Sequence, residues 1–224
     1  MPGVDTAGDS ATIVNEAGAT YDLSRGESQQ NIGSTGTYAF INNGLLEMTG
    51  GGGNTLSAPL YNTALVSAQN GNLYLGGALT NSGTLQSDQG NLITYGGTLG
   101  GLIEDISTNG ANLFMTGTYA VPAATTDSVV FDGVYFGWGS TNVAVLEGPG
   151  TLASNGLVYT YHYGGQVQLF LGGGVTWDNA GTVNQQGAIE FGAGTADAAT
   201  LVNEAGATYD LSSLVMVVSS GVIW

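Results

Sequence analysis

Cysteine is absent from this chain of 224 residues, and lysine and arginine together supply one residue, Arg25. Without thiols there is no disulfide framework, no thiolate zinc site and no cysteine nucleophile. One cation cannot neutralise a row of phosphates, which argues against nucleic acid as a partner. A single histidine, His162, limits triad chemistry to one set of partners, and no Gly-x-Ser-x-Gly elbow occurs. The run Gly50-Gly51-Gly52-Gly53 has no lysine to follow it, so it reads as a turn and not as a phosphate loop. With 4 prolines the chain is neither collagen nor a proline-rich spacer. No apolar run reaches the ~18 residues of a membrane-spanning helix.

What is present points to strands and turns. Acids number 17, giving a formal net charge of −16, yet 42% of residues are hydrophobic, too many for a disordered acidic tail. Glycine (39 residues) is abundant, and Asn matches the acids in number; both suit tight turns, where Asn tolerates left-handed backbone and can stack in ladders. The opening Met1-Pro2-Gly3-Val4-Asp5 has neither a basic nor an apolar signal region and reads as a start with an added Met1 or as a mature fragment.

Repeats dominate the organisation. The segment 11–24, Ala-Thr-Ile-Val-Asn-Glu-Ala-Gly-Ala-Thr-Tyr-Asp-Leu-Ser, returns at 199–212 with one change, Ile13 against Leu201. A shorter period runs inside. Asn62-Thr63-Ala64-Leu65-Val66 and Gly71-Asn72-Leu73 are followed by Asn81-Ser82-Gly83-Thr84-Leu85 and Gly90-Asn91-Leu92, then by Gly110-Ala111-Asn112-Leu113. A period of about 19–21 residues with two or three short strands per turn predicts an all-β fold, a parallel β-helix or β-solenoid. One coil cannot bury its apolar face alone; stacked coils share a continuous interior. Leu73, Leu92 and Leu113 are expected to form one inward stack, Val66 and Leu85 another, and Asn72, Asn91 and Asn112 an asparagine ladder. About eleven coils at ~4.8 Å each would give a rod of about 50 Å. The alternative is an antiparallel β-sandwich, whose strands recur at similar spacing.

The whole chain, 1–224, reads as a single domain. The repeats are clearest over 11–115 and 176–212, an aromatic-rich section of irregular period occupies 116–175, and 213–224 is an apolar terminal strand or interface.

The phrases Asn-x-Gly-Thr-Leu, as at Asn81, and Gly-Asn-Leu-x-x-x-Gly-Gly-Thr-Leu, as at Gly90, resemble those of autotransporter passengers and filamentous haemagglutinin-type adhesins. This resemblance implies a right-handed parallel β-helix, an extracellular or cell-surface location, and a structural or adhesive role in a bacterial surface protein or fibre.

No catalytic set emerges, and the chain is expected not to be an enzyme. The acids are spread singly, so a solvated face is the expectation, with occasional calcium bridging as the alternative and no other cofactor. A second function class remains: a β-helix that binds or cleaves carbohydrate through Asp132, Tyr135, Trp138, Tyr161, Trp177 and Asp178, with host or biofilm glycans as partners. The near-identical first and last segments suggest self-association, as a head-to-tail filament or a tandem array. Its interface would use Val14, Asn15 and Tyr21 at one end, and Val202, Asn203, Tyr209, Val215, Val217, Ile223 and Trp224 at the other.

Overall fold

A computed structural model describes residues 10–24, 37–110, 112–123, 129–137, 143–160, 167–192, 198–212 and 216–218. Each coil lays down up to three short strands, one in each of three sheets. A representative coil runs Leu60–Asn62 in the first sheet, Leu65–Ala68 in the second and Asn72–Leu75 in the third. The next coil repeats the order with Leu79–Asn81, Thr84–Ser87 and Asn91–Thr94. The three sheets hold 10, 9 and 8 strands, with each strand hydrogen-bonded to its counterpart one coil away. The pairings are parallel in all three sheets, as between Leu65–Ala68 and Thr84–Ser87, so the chain is a β-solenoid and the antiparallel sandwich is ruled out.

Strand alternation produces this architecture. In Asn72–Leu75, Leu73 and Leu75 are buried while Asn72 and Tyr74 are only partly so, as expected where successive side chains point to opposite faces. Stacking then aligns the inward residues in columns. The third sheet carries Leu73, Leu92, Leu113, Val134, Val158 and Val183 in register, all fully buried. The second sheet carries Leu46, Val66, Leu85, Ile103 and Phe131. Both inward stacks expected from the sequence are therefore present. Each such side chain contributes about 2 kcal/mol of hydrophobic stabilisation, a sum no single coil could collect.

In the first sheet the column Phe40, Leu60, Leu79, Gly97, Tyr119, Leu146 shows how a large residue is admitted. Gly97 brings no side chain to its level, and Tyr119 in the next coil is fully buried with its hydroxyl 2.6 Å from Thr94 Oγ1.

The expected period needs correction. The rise from one coil to the next varies from 18 residues, between Gln86 and Glu104, to 28, between Ile103 and Phe131. The added residues fall between strands, so the registers of the sheets continue through them. Hence the rod has fewer coils than eleven: ten strands span nine steps of ~4.8 Å, about 43 Å. The described strands of the irregular section belong to the three sheets. Of the section's described aromatics, Tyr119, Phe131 and Phe136 are in the core, where Phe131 and Phe136 meet edge to face at 5.3 Å, while Tyr135, Tyr159 and Phe170 are half-buried.

Candidate functional site

Three features stand out: the asparagine corners, an outward aromatic row, and the two ends of the rod.

At the corner from the first sheet to the second, Asn15, Asn42, Asn62 and Asn81 lie one above another, all buried. Asn15 Nδ2 donates to Asn42 Oδ1 at 2.8 Å, Asn42 Nδ2 to Asn62 Oδ1 at 2.7 Å, and Asn62 Nδ2 to Asn81 Oδ1 at 2.7 Å. The remaining amide protons reach backbone carbonyls that the corner leaves open, Leu45 O from Asn15 and Leu65 O from Asn42, each at 2.9 Å. Asn81 ends the series on Gly100 O at 2.6 Å. Each Asn-to-Asn donor in this series points the same way, from N-terminal coil to C-terminal coil.

A second series occupies the next corner, between the second and third sheets. Trp177 Nε1 donates to Ser154 Oγ at 2.9 Å, Ser154 Oγ to Asn179 Oδ1 at 2.9 Å, and Asn179 Nδ2 to Asn203 Oδ1 at 2.7 Å. The ladder expected at Asn72, Asn91 and Asn112 is the lesser one. Asn91 Nδ2 reaches Asn72 Oδ1 at 2.6 Å, but Asn112 answers Asn91 with its backbone N–H, and all three are only half-buried. The signal for the buried ladder was present in Asn42-Asn43-Gly44, Asn62-Thr63-Ala64 and Asn81-Ser82-Gly83, at intervals of 20 and 19 residues.

The outward aromatic row was not foreseen as a row. In the third sheet Tyr74, Ile93, Phe114, Tyr135 and Tyr159 are consecutive register partners. Tyr135 and Tyr159 stack with centroids 4.5 Å apart and planes 12° from parallel, and Phe114 tilts against Tyr135 at 5.6 Å. Burial, with Tyr159 and Asp105 nearby, raises the Tyr135 phenol above its usual range. Burial likewise raises the Asp105 carboxyl, with Asp132 a smaller cause, against the lowering effect of the Ser107 N–H bonded at 2.8 Å. The structure thus gathers Tyr135, Tyr159, Asp105 and Asp132 near one corner, with Asp132 exposed.

Other proposed carbohydrate contacts are placed elsewhere. Trp177 is fully buried, edge-on to Phe136 at 6.1 Å, so the expectation that it meets a sugar is corrected: its ring is inside the rod. Asp178 is half-buried, two strands further along the second sheet than Asp132. Trp138 and Tyr161 lie outside the described residues. Among the described residues no group of three or more His, Asp or Glu side chains is arranged to hold a metal ion. Among the described residues no helix is long and apolar enough to cross a membrane.

At the N-terminal end, Ser10–Asn15 and Thr20–Asp22 form the outermost strands of the first and second sheets. At the C-terminal end, Thr200–Asn203 and Thr208–Leu211 are outermost in the second and third sheets. The inward residues there are only partly covered: Ile13, Tyr21, Leu201 and Tyr209 are half-buried, while their register partners Phe40, Leu46, Trp177 and Val183 are fully buried. Tyr21 packs edge-on to Phe40 at 5.0 Å. Tyr209 donates its hydroxyl to Gln185 Oε1 at 2.6 Å, and burial raises its phenol well above the usual range. Val14 is 45% exposed and Val202 half-buried, both on the outward face. Val217 belongs to Met216–Val218, which pairs with Ala188–Phe191. Val215, Ile223 and Trp224 lie outside the described residues.

Comparison with family models, with curated proteins and with solved structures gives no match.

Proposed function

We propose that this chain is a structural rod, a stalk or fibre segment of an exported bacterial surface protein, of the kind its repeat phrases resemble. The observation that carries the reading is the parallel register, which keeps three sheets in step, with one local shift between Val167 and Leu169, although coil length changes by up to 10 residues. A fold that conserves axial stacking while its corners vary is suited to holding distance and presenting variable corners. The outward faces are rich in Thr, Ser, Asn and Gln, and the single Lys-or-Arg position gives trypsin-like proteases one place to cut, which suits an exposed location.

Inserting the chain between a vesicle-anchored domain and a fluorescent reporter tests this role. Energy transfer to a membrane dye should report a standoff increased by about 43 Å, the rod length at ~4.8 Å per step. An unchanged standoff would overturn the reading.

The cluster of Tyr135, Tyr159, Asp105 and Asp132 favours a second reading, carbohydrate binding on the third sheet. Against it, the two tyrosines stack on each other, so each covers one face of the other and leaves mainly rims for a sugar. A glycan array separates the two readings: a specific signal lost in Tyr135→Ala supports carbohydrate recognition, and a blank array supports the rod.

A further inference from the structure

The duplicated segments do not occupy equivalent places. In the first copy the strand ending at Asn15 lies in the first sheet, and the strand holding Tyr21 in the second. In the second copy the strand ending at Asn203 lies in the second sheet, and the strand holding Tyr209 in the third. The same sequence therefore makes the same corner one sheet further round the rod.

The two corners match closely. Ala19 N donates to Glu16 O at 2.9 Å and Ala207 N to Glu204 O at 3.0 Å. Gly18 and Gly206 take φ of 81° and 91°, a region that glycine enters without a Cβ penalty.

The corners are also complementary in their amides. Asn203 accepts from Asn179 but donates only to Ala207 O in its own turn, at 3.3 Å. Asn15 donates to Asn42 and Leu45, and among the described residues nothing donates to its Oδ1. Because the Asn-to-Asn donors at these two buried corners point towards the C-terminal coil, Asn203 offers a donor where Asn15 offers an acceptor. Asn15 keeps 5% exposure inside its corner, and Asn203 is exposed.

We propose that a second copy of this chain seats its coil 10–22 on the coil 200–211 of the first, turned by one sheet about the rod axis. In that joint Ile13 covers Leu201, Tyr21 covers Tyr209, and Asn203 Nδ2 donates to the next copy's Asn15 Oδ1. The two ladders then join into one series running from Asn179 to the neighbouring Asn81. The half-covered inward residues at both ends gain the neighbour that every interior coil already has. Each added copy turns by one sheet, so three copies bring the faces back into line.

Identical coils also bring like charges together, Glu16 beside Glu204 and Asp22 beside Asp210. Asp22 already has Glu47 as its register partner and accepts a bond from Thr49 Oγ1 at 2.8 Å; Asp210 has Asn184. The joint therefore closes best when these carboxylates are screened.

This inference rests on the rod reading and specifies its contact. The native chain has no cysteine, so thiols can be placed at will. Val14 and Val202 lie outward at positions that face each other across the joint, within the Cα range that a disulfide spans. V14C and V202C chains, mixed under mild oxidation in about 1 M salt, where the screening length is about 3 Å, should give heterodimers. The unrotated arrangement places Val14 above Val217 in the first sheet and predicts heterodimers from V14C with V217C instead; that outcome overturns the proposal. So does the absence of any cross-link between chains that remain folded rods, a result that leaves the rod reading itself standing. N203D retains the acceptor for Asn179 and removes the donor to the next copy, so adding it to V202C should lower the heterodimer yield severalfold. An unchanged yield overturns the amide link.

Discussion

Replacing Asn62 by alanine should cost this protein about 3–5 kcal/mol, although the change removes only a few atoms. Asn62 Oδ1 accepts from Asn42 Nδ2 at 2.7 Å and from Ala64 N at 3.3 Å. Its amide protons serve Asn81 Oδ1 at 2.7 Å, Ala64 O at 3.1 Å and Thr84 O at 3.2 Å. The substitution strands one N–H of Asn42 and the carbonyl of Asn81, both fully or almost fully buried. A stranded buried polar group costs about 1–3 kcal/mol, and Thr84 O loses a donor as well. Asn91→Ala is the control. It removes two bonds against the five at Asn62, Asn91 to Asn72 at 2.6 Å and Asn112 N to Asn91 at 2.9 Å, and at half-buried positions that water can reach. Its expected cost is about 1 kcal/mol. Urea unfolding measures both, with native-state hydrogen exchange on the coil around Leu60–Asn62 because stacked repeats can open locally. Equal losses in the two variants would refute the reasoning, since burial and the number of bonds both set Asn62 apart. Asn62→Asp adds a pH arm. A carboxylate there is desolvated and faces acceptors, so its folded-state pKa lies above the unfolded one. The variant's stability should then be highest when the group is protonated and fall as pH rises through that pKa.

Three further outcomes follow from the same packing. A Cβ at Gly83 would run into the backbone carbonyl of Ala64 one coil below, so Gly83→Ala should lower the thermal midpoint and cost at least about 2 kcal/mol; differential scanning calorimetry checks it, and a neutral result would show that the coils can part. Gln168 sits beside a register shift in the strand Val167–Gly172, fully buried, with no hydrogen-bond partner for Nε2 or Oε1, so Gln168→Leu should raise stability by about 1–3 kcal/mol in urea unfolding, and a loss would refute the assignment. Burial raises the phenols of Tyr119 and Tyr209, so an alkaline absorbance titration of the folded chain should keep a late step above the usual phenol range that denaturant abolishes; a titration complete within the usual range would contradict the burial.

The core was legible where a phrase recurs intact. Leu73, Leu92 and Leu113 follow Asn in each copy of one phrase, and stacking identical phrases can only stack identical residues. The asparagine ladder was legible in kind but not in place. Spacing alone cannot distinguish Asn72, Asn91 and Asn112 from Asn42, Asn62 and Asn81; what differs is whether a corner closes around the amide, which depends on the other two sheets. Trp177 was misread for a reason that alternation could have exposed. If Asp178 points outward, its neighbour points inward, so the pair could not both meet a ligand. The coils around Ile103, Phe131 and Leu146 escaped the period search because length was added between strands, while the inward residues that define the register stayed in step.

The axial direction of the hydrogen bonds has a mechanical consequence. Strands lie across the rod and their bonds run along it, so a pull on its two ends loads those bonds end-on and opens the outermost coil before the rest. The 19 residues between Asn62 and Asn81 raise the rod by one step of ~4.8 Å, yet when peeled they pay out about 65 Å of chain. A tug on such a rod is met by successive yields, each lengthening the molecule more than tenfold over the height of coil given up. Toughness of this kind comes from the geometry of stacking and requires no covalent cross-link.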